Sequence, residues 1–90
     1  MTQPVSATAE QVRGVTMPLV DAVGSACPGP LLMARRALAD IEVKGRFKLL
    51  SSDPGTCRDI VLWCEKSGAT LESVNTSETG IFSFVIRRNR

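Results

Sequence analysis

After fifteen mostly polar residues, the chain settles into a regular succession of apolar runs separated by turn signals. Met17-Pro18-Leu19-Val20-Asp21-Ala22-Val23 is a short apolar run that stops at Gly24, and it predicts a first strand. Leu31, Ala34, Leu38 and Ile41 recur at helical spacing, which places one buried face on a helix from Cys27 to Asp40 or Ile41. Val43-Lys44-Gly45 reads as a turn, and Arg46 to Ser52 as a second strand with Phe47 and Leu49 on one side. Asp53-Pro54 marks the next helix start: aspartate caps, and proline suits a first position whose N–H has no helical acceptor. That helix runs to about Ser67 and ends at Gly68, with a buried stripe expected at Ile60, Trp63, Cys64 and Ser67. Ala69 to Asn75 and Ile81 to Ile86 then read as two strands joined by the Thr76–Gly80 turn, most simply as a hairpin.

The order is β-α-β-α-β-β. A helix joining the first two strands implies a right-handed parallel crossover. Two helices on one face of a four-stranded mixed sheet give an α+β, two-layer sandwich. The order of the strands does not follow from the pattern. At 90 residues the chain is expected to hold one domain and one core, with residues 1–15 as a disordered leader and 16–90 as the domain.

Composition narrows the function. Hydrophobic residues at 43% and charged residues at 22% suit a folded domain. Eleven basic against nine acidic residues leave +2, too little to argue for a nucleic-acid-binding face. Arg87, Arg88 and Arg90 read as a solvated basic tail. No apolar run reaches the roughly 20 residues of a membrane span, and the first fifteen residues lack a secretory apolar stretch. The expectation is therefore a cytoplasmic protein with reduced thiols and no membrane partner. Three cysteines cannot all pair internally. The absence of histidine excludes a Cys–His pair, a Ser–His–Asp triad and a His-containing zinc site, and without CxxC no metal is expected.

Cys27 stands apart. By default a cysteine is a small buried hydrophobe, and Cys64, on the second helix stripe, fits that description. Cys27 instead follows the small residues Gly24-Ser25-Ala26 and precedes Pro28-Gly29-Pro30, at a loop-to-helix junction where side chains meet partners. Proline is tolerated in a first helical turn, and both rings stiffen the chain behind the thiol. Gly29 and Leu31 retain N–H groups which, with the helix dipole, favour an anion there. A thiolate or a persulfide anion is served equally, with no histidine base required. Leu32, Met33 and Arg36 fall off the buried stripe and Arg35 lies at its edge, so these four are candidate partner contacts. Asp53 and Asp59 read as cap and dipole partners of the second helix. No acid pair suggests acid–base catalysis.

Asp21-Ala-Val-Gly24-Ser-Ala-Cys27-Pro28-Gly-Pro30 resembles the D-x-x-G-L-x-C-P-x-P signature of the TusA/SirA-like sulfur-carrier family. Asp53-Pro54-Gly-Thr56-Cys57-Arg58-Asp59-Ile60 is similar to the family's D-P-x-x-x-x-D-I stretch, and Trp63-Cys64 to the apolar-Cys pair that often follows. The likeness covers roughly residues 18–88. It implies a carrier rather than a stand-alone catalyst: Cys27 takes sulfane sulfur as a persulfide, a transient covalent cargo, with no resident cofactor. It also implies a donor (a cysteine desulfurase or a rhodanese) and an acceptor such as a DsrE-like sulfurtransferase. The sulfur would serve tRNA thiolation, cofactor assembly or dissimilatory sulfur oxidation, with the carrier a monomer that pairs transiently. Arg35 matches a basic family position beside the donor surface.

Two positions depart from the pattern. Ser25 replaces the usual leucine, and Cys57 stands where threonine or another small residue is more usual. Both helices follow parallel strands, so their starts should share a sheet edge, about 8–10 Å apart, and put Cys57 on the Cys27 side. That is a possible second thiol, although a disulfide needs Cα atoms within about 7 Å. A Cys27/Cys57 dithiol redox protein and a non-catalytic regulatory module using the Leu32/Met33 surface are the alternatives to sulfur carriage.

Overall fold

The fold is taken from a computed structural model that describes residues 17–90. The expected leader, residues 1–15, lies outside the described residues. Six elements follow in order: β1 (Leu19–Ala22), α1 (Gly29–Asp40), β2 (Arg46–Ser51), α2 (Pro54–Ser67), β3 (Ala69–Thr76) and β4 (Phe82–Arg88). The sheet order is β1-β2-β4-β3. β1 and β2 are parallel, as a helical crossover requires, while β4 runs antiparallel to both β2 and β3. The hairpin strand β4 is thus inserted between β2 and β3. The α+β two-layer sandwich expected from the pattern is present.

Alternation along the strands decides the core. Phe47 and Leu49 of β2 and Phe84 and Ile86 of β4 are fully buried. They meet Ala34 and Leu38 of α1 and Ile60 and Cys64 of α2 in one cluster. Trp63 and Ser67, expected on the buried stripe of α2, are only half-buried. The stripe runs instead through Thr56, Ile60 and Cys64, at a four-residue spacing that leaves those two on its flank. In α1 the buried set is Pro30, Ala34 and Leu38, and Leu31 and Ile41 lie half-buried beside it.

Local chemistry sets the helix ends. Asp53 caps α2 by accepting from the Gly55 N–H at 3.2 Å. Gly68 ends α2 in the left-handed region at φ 73°, its N–H bonded to the Cys64 carbonyl. α1 starts at Gly29, two residues later than expected, with Pro28 in the N-cap position. A residue preceding proline is disfavoured in helical geometry, which keeps Cys27 in the loop. The basic tail is also corrected: Arg87 and Arg88 belong to β4, and an Arg88 Nη1–H donates to the Ile41 carbonyl at 2.6 Å. Each helix starts where a parallel strand ends, so the loops β1–α1 and β2–α2 emerge side by side at one sheet edge.

Candidate functional site

The β1–α1 loop is bonded within itself and to its neighbour. Val23 N–H donates to Asp21 Oδ1 at 3.0 Å, and Ser25 N–H to the Ala22 carbonyl at 3.1 Å. Gly24 sits at φ 90°, a conformation that side chains resist, and its N–H donates to Ser52 Oγ at 2.9 Å. Three residues on, Cys27 N–H donates to Asp53 Oδ2 at 2.8 Å. Two bonds therefore fasten the cysteine loop to the β2–α2 loop. Asp53 spans both: one oxygen caps α2 and the other holds the Cys27 backbone. The Cys27 and Gly55 N–H groups hold its carboxyl below the usual carboxylate range, against the opposing effect of burial.

The thiol, half-buried and free, rests on hydroxyls. Cys27 Sγ lies 3.4 Å from Thr56 Oγ1, which lies 2.9 Å from Ser51 Oγ. Ser51 Oγ accepts the Asp53 N–H at 3.1 Å. Ser51 and Thr56 are both fully buried, and they are the buried polar side chains among the described residues. A buried hydroxyl is tolerated only when bonded, and here the bonded chain ends at sulfur.

The helix-start donors are arranged differently from expectation. Gly29 N–H is taken by the Ala26 carbonyl at 2.8 Å, because the late helix start closes a turn there. Cys27 is instead met by the Thr56 hydroxyl and, through its backbone, the Asp53 carboxylate. Of the proline pair, Pro28 is exposed at the cap and Pro30 is buried in the first turn. The signal that could have found Thr56 was its place in the Asp-Pro-Gly-Thr cap, three residues after Asp53 in the first turn of α2. Asp53 was legible only as a cap.

The other candidates separate. The four expected contact residues divide between the two flanks of α1. Leu32, Met33 and Arg36 line a groove of about 700 Å³ against Leu19 and Asp21 of β1. Leu32 at 59% and Met33 at 39% exposure give it an apolar floor open to solvent. Arg35 faces the other way, into a cleft with Leu38, Ser67, Arg88 and Arg90. Cys57 is free and half-buried against the core, and burial, followed by the Asp53 charge, pushes its thiol up. The side chain of α2 that touches Cys27 is Thr56, one position earlier. Cys64 is buried, which raises its thiol to about 11.

Comparison with known proteins identifies the family and the fold. The family model described as "Sulfurtransferase TusA" matches residues 19–88. The "Sulfur carrier protein TusA" of Pseudomonas syringae pv. tomato is 34% identical over 80 residues, covering 88% of this chain and 94% of that protein. An Archaeoglobus fulgidus protein named as a candidate sulfur carrier is 42% identical over 62 residues, 69% of this chain and 85% of its own length. The crystal structure of a SirA-like protein from Desulfitobacterium hafniense superposes with a TM-score of 0.72. It covers 82% of this chain and all of its own, at 23% identity, and so shares the fold. The match over nearly all of the described residues, with the Cys27 loop and its α2 cap inside it, places the chain in the TusA family of sulfur-carrier proteins.

Proposed function

We propose that Cys27 carries sulfane sulfur as a persulfide, receiving it from a donor protein and passing it to a thiol of an acceptor protein. The observation that carries this reading is a free, partly exposed thiol on a loop pinned to a neighbouring helix cap, with no histidine in the chain. A thiol without a base of its own relies on its partner to present an activated sulfur, which suits a carrier better than a stand-alone catalyst. Cysteine desulfurases and rhodaneses are the donor classes that fit, and a DsrE-like sulfurtransferase the acceptor class. Each exchanges sulfur through a cysteine persulfide. The exposed Leu32/Met33 groove would dock one of them. The chain acts as a monomer, in the cytoplasm, where thiols stay reduced. No helix among the described residues is long and apolar enough to cross a membrane.

The dithiol alternative is weakened by Cys57, whose thiol is pushed up and packed on the core. Incubation with a persulfide-loaded donor, read by intact mass, tests the proposal. Wild type gains the mass of one sulfur atom, located to the Cys27 peptide. A Cys27→Ser variant that gains sulfur equally well overturns it.

A further inference from the structure

We propose that Thr56, propped by Ser51, is a further catalytic residue of the hand-off step: its hydroxyl donates to Cys27 Sγ and stabilises the thiolate released when sulfur departs. This rests on the sulfur-carrier reading above. In that step an acceptor thiolate attacks the outer sulfur of the Cys27 persulfide. A bond forms between the acceptor sulfur and the outer sulfur, and the bond between the outer sulfur and Sγ breaks. Its electron pair remains on Sγ, and the proton on the outer sulfur travels with it. Atoms and charge balance with no other reactant, and the negative charge that began on the acceptor ends on Sγ.

The surroundings of Sγ decide what can meet that charge. The Cys27 N–H is committed to Asp53 and the Gly29 N–H to the Ala26 carbonyl. The nearby carboxylate of Asp53 opposes a second negative charge. The Thr56 hydroxyl, 3.4 Å from Sγ, is the donor in place. For a thiolate the hydrogen-bond chain has one consistent direction. Sulfur can only accept, so Thr56 donates to it. Thr56 Oγ1 then accepts from the Ser51 hydroxyl at 2.9 Å, and Ser51 Oγ accepts the Asp53 N–H at 3.1 Å. Each hydroxyl gives one proton and receives one, all directed toward sulfur. Both residues are fully buried, so water does not compete for these bonds. A preorganised donor aimed at developing charge is a common source of rate. The direction of the effect is specific. Stabilising the Cys27 thiolate makes it a better leaving group but a slightly poorer attacking nucleophile. Thr56 therefore speeds release of sulfur and, between fully ionised thiols, leaves uptake unchanged or slower.

The test loads wild type, Thr56→Val and Thr56→Ser with inorganic polysulfide, removes the excess, and adds a small thiol as acceptor. Persulfide is followed at the Cys27 peptide by mass. We expect Thr56→Val to release sulfur about tenfold more slowly or worse, the value of a hydrogen bond to a charged group. Its uptake, compared on the high-pH plateau where each thiol is fully ionised, should be as fast as wild type or faster, and Thr56→Ser should restore release. Release from Thr56→Val at the wild-type rate overturns the proposal. So does an equal fall in release and in plateau uptake, which marks a structural effect. Should Thr56→Val melt below the assay temperature, Ser51→Ala replaces it, with a smaller loss in release alone expected; no loss overturns the proposal. Polysulfide loads without a partner, so failure of donor proteins to charge Cys27 would count against the carrier reading while leaving the Thr56 comparison standing.

Discussion

The Cys27 backbone N–H and Asp53 Oδ2 are bonded at 2.8 Å across 26 residues of sequence, joining the thiol loop to the cap of α2. The same carboxylate accepts the Gly55 N–H, and these two donors lower its pKa from the ordinary value. The sign of the pH effect follows. A carboxyl lowered on folding contributes its full stability above the unfolded value, near pH 4, and loses it as pH falls through the lower folded value. Asp53→Ala should therefore melt below wild type at pH 7, with the gap closing as pH falls from about 4 toward 2. Thermal scans by circular dichroism across that range check this. A gap that stays constant with pH would remove the charge from the explanation.

The three thiols should differ in reactivity. Cys64 is buried and raised to about 11, so it is almost wholly protonated at pH 8. Cys57 is raised by burial and by the Asp53 charge. Timed alkylation of the native protein with iodoacetamide, mapped by peptide mass, should label Cys27 first, Cys57 slowly, and Cys64 only on unfolding. Equal early labelling of Cys27 and Cys57 would contradict the placement of Cys57 against the core.

Gly24 offers a test of the loop's backbone. Its φ is 90°, and a Cβ built there meets nothing within 4 Å. Gly24→Ala is thus penalised by conformation alone, without a clash, and should cost about 1 kcal/mol. Urea unfolding should show a lower midpoint with an unchanged slope. An unchanged midpoint would mean that the loop relaxes to another conformation, and the Gly24–Ser52 bond would then be dispensable.

What could be read in advance divides by the range of the interaction. α2 was legible to the residue, because Asp53, Pro54 and Gly68 are local signals acting on their own backbone. Both hairpin strands were legible as runs either side of the Thr76–Gly80 turn, although β4 runs two residues past its predicted end, where Arg88 pairs with Ala69. The place of β4 between β2 and β3 was not, since strand order depends on contacts between distant segments. The site followed the same rule. Cys27 was evident from its own neighbours in sequence. Thr56 and Ser51 lie 29 and 24 positions away, and they look like ordinary strand-end and helix-start residues until the two loops are brought together. The four contact candidates divide between two flanks for a geometric reason: successive helical positions diverge around the axis, so Arg35 and Arg36 do not share a groove.

That division between the flanks of α1 yields a last prediction. Leu32 is 59% exposed on the groove that α1 forms with β1, close in sequence to the thiol but with no bond to its hydroxyl chain. A glutamate there would put an unpaired charge at the centre of an apolar contact, while leaving Cys27, Thr56 and Asp53 untouched. Leu32→Glu should weaken docking of a protein partner about tenfold or more, the value of burying one leucine. Chemical loading of Cys27 by polysulfide should be unchanged. Arg35→Ala, on the opposite flank, should act chiefly on association rate and its salt dependence, as rim charges do. Binding kinetics with a donor at two salt concentrations, beside polysulfide loading of both variants, separates the two flanks. If Leu32→Glu binds as wild type while Arg35→Ala loses binding at every salt concentration, the partner sits over the α1–α2 cleft and the apolar groove is not its seat.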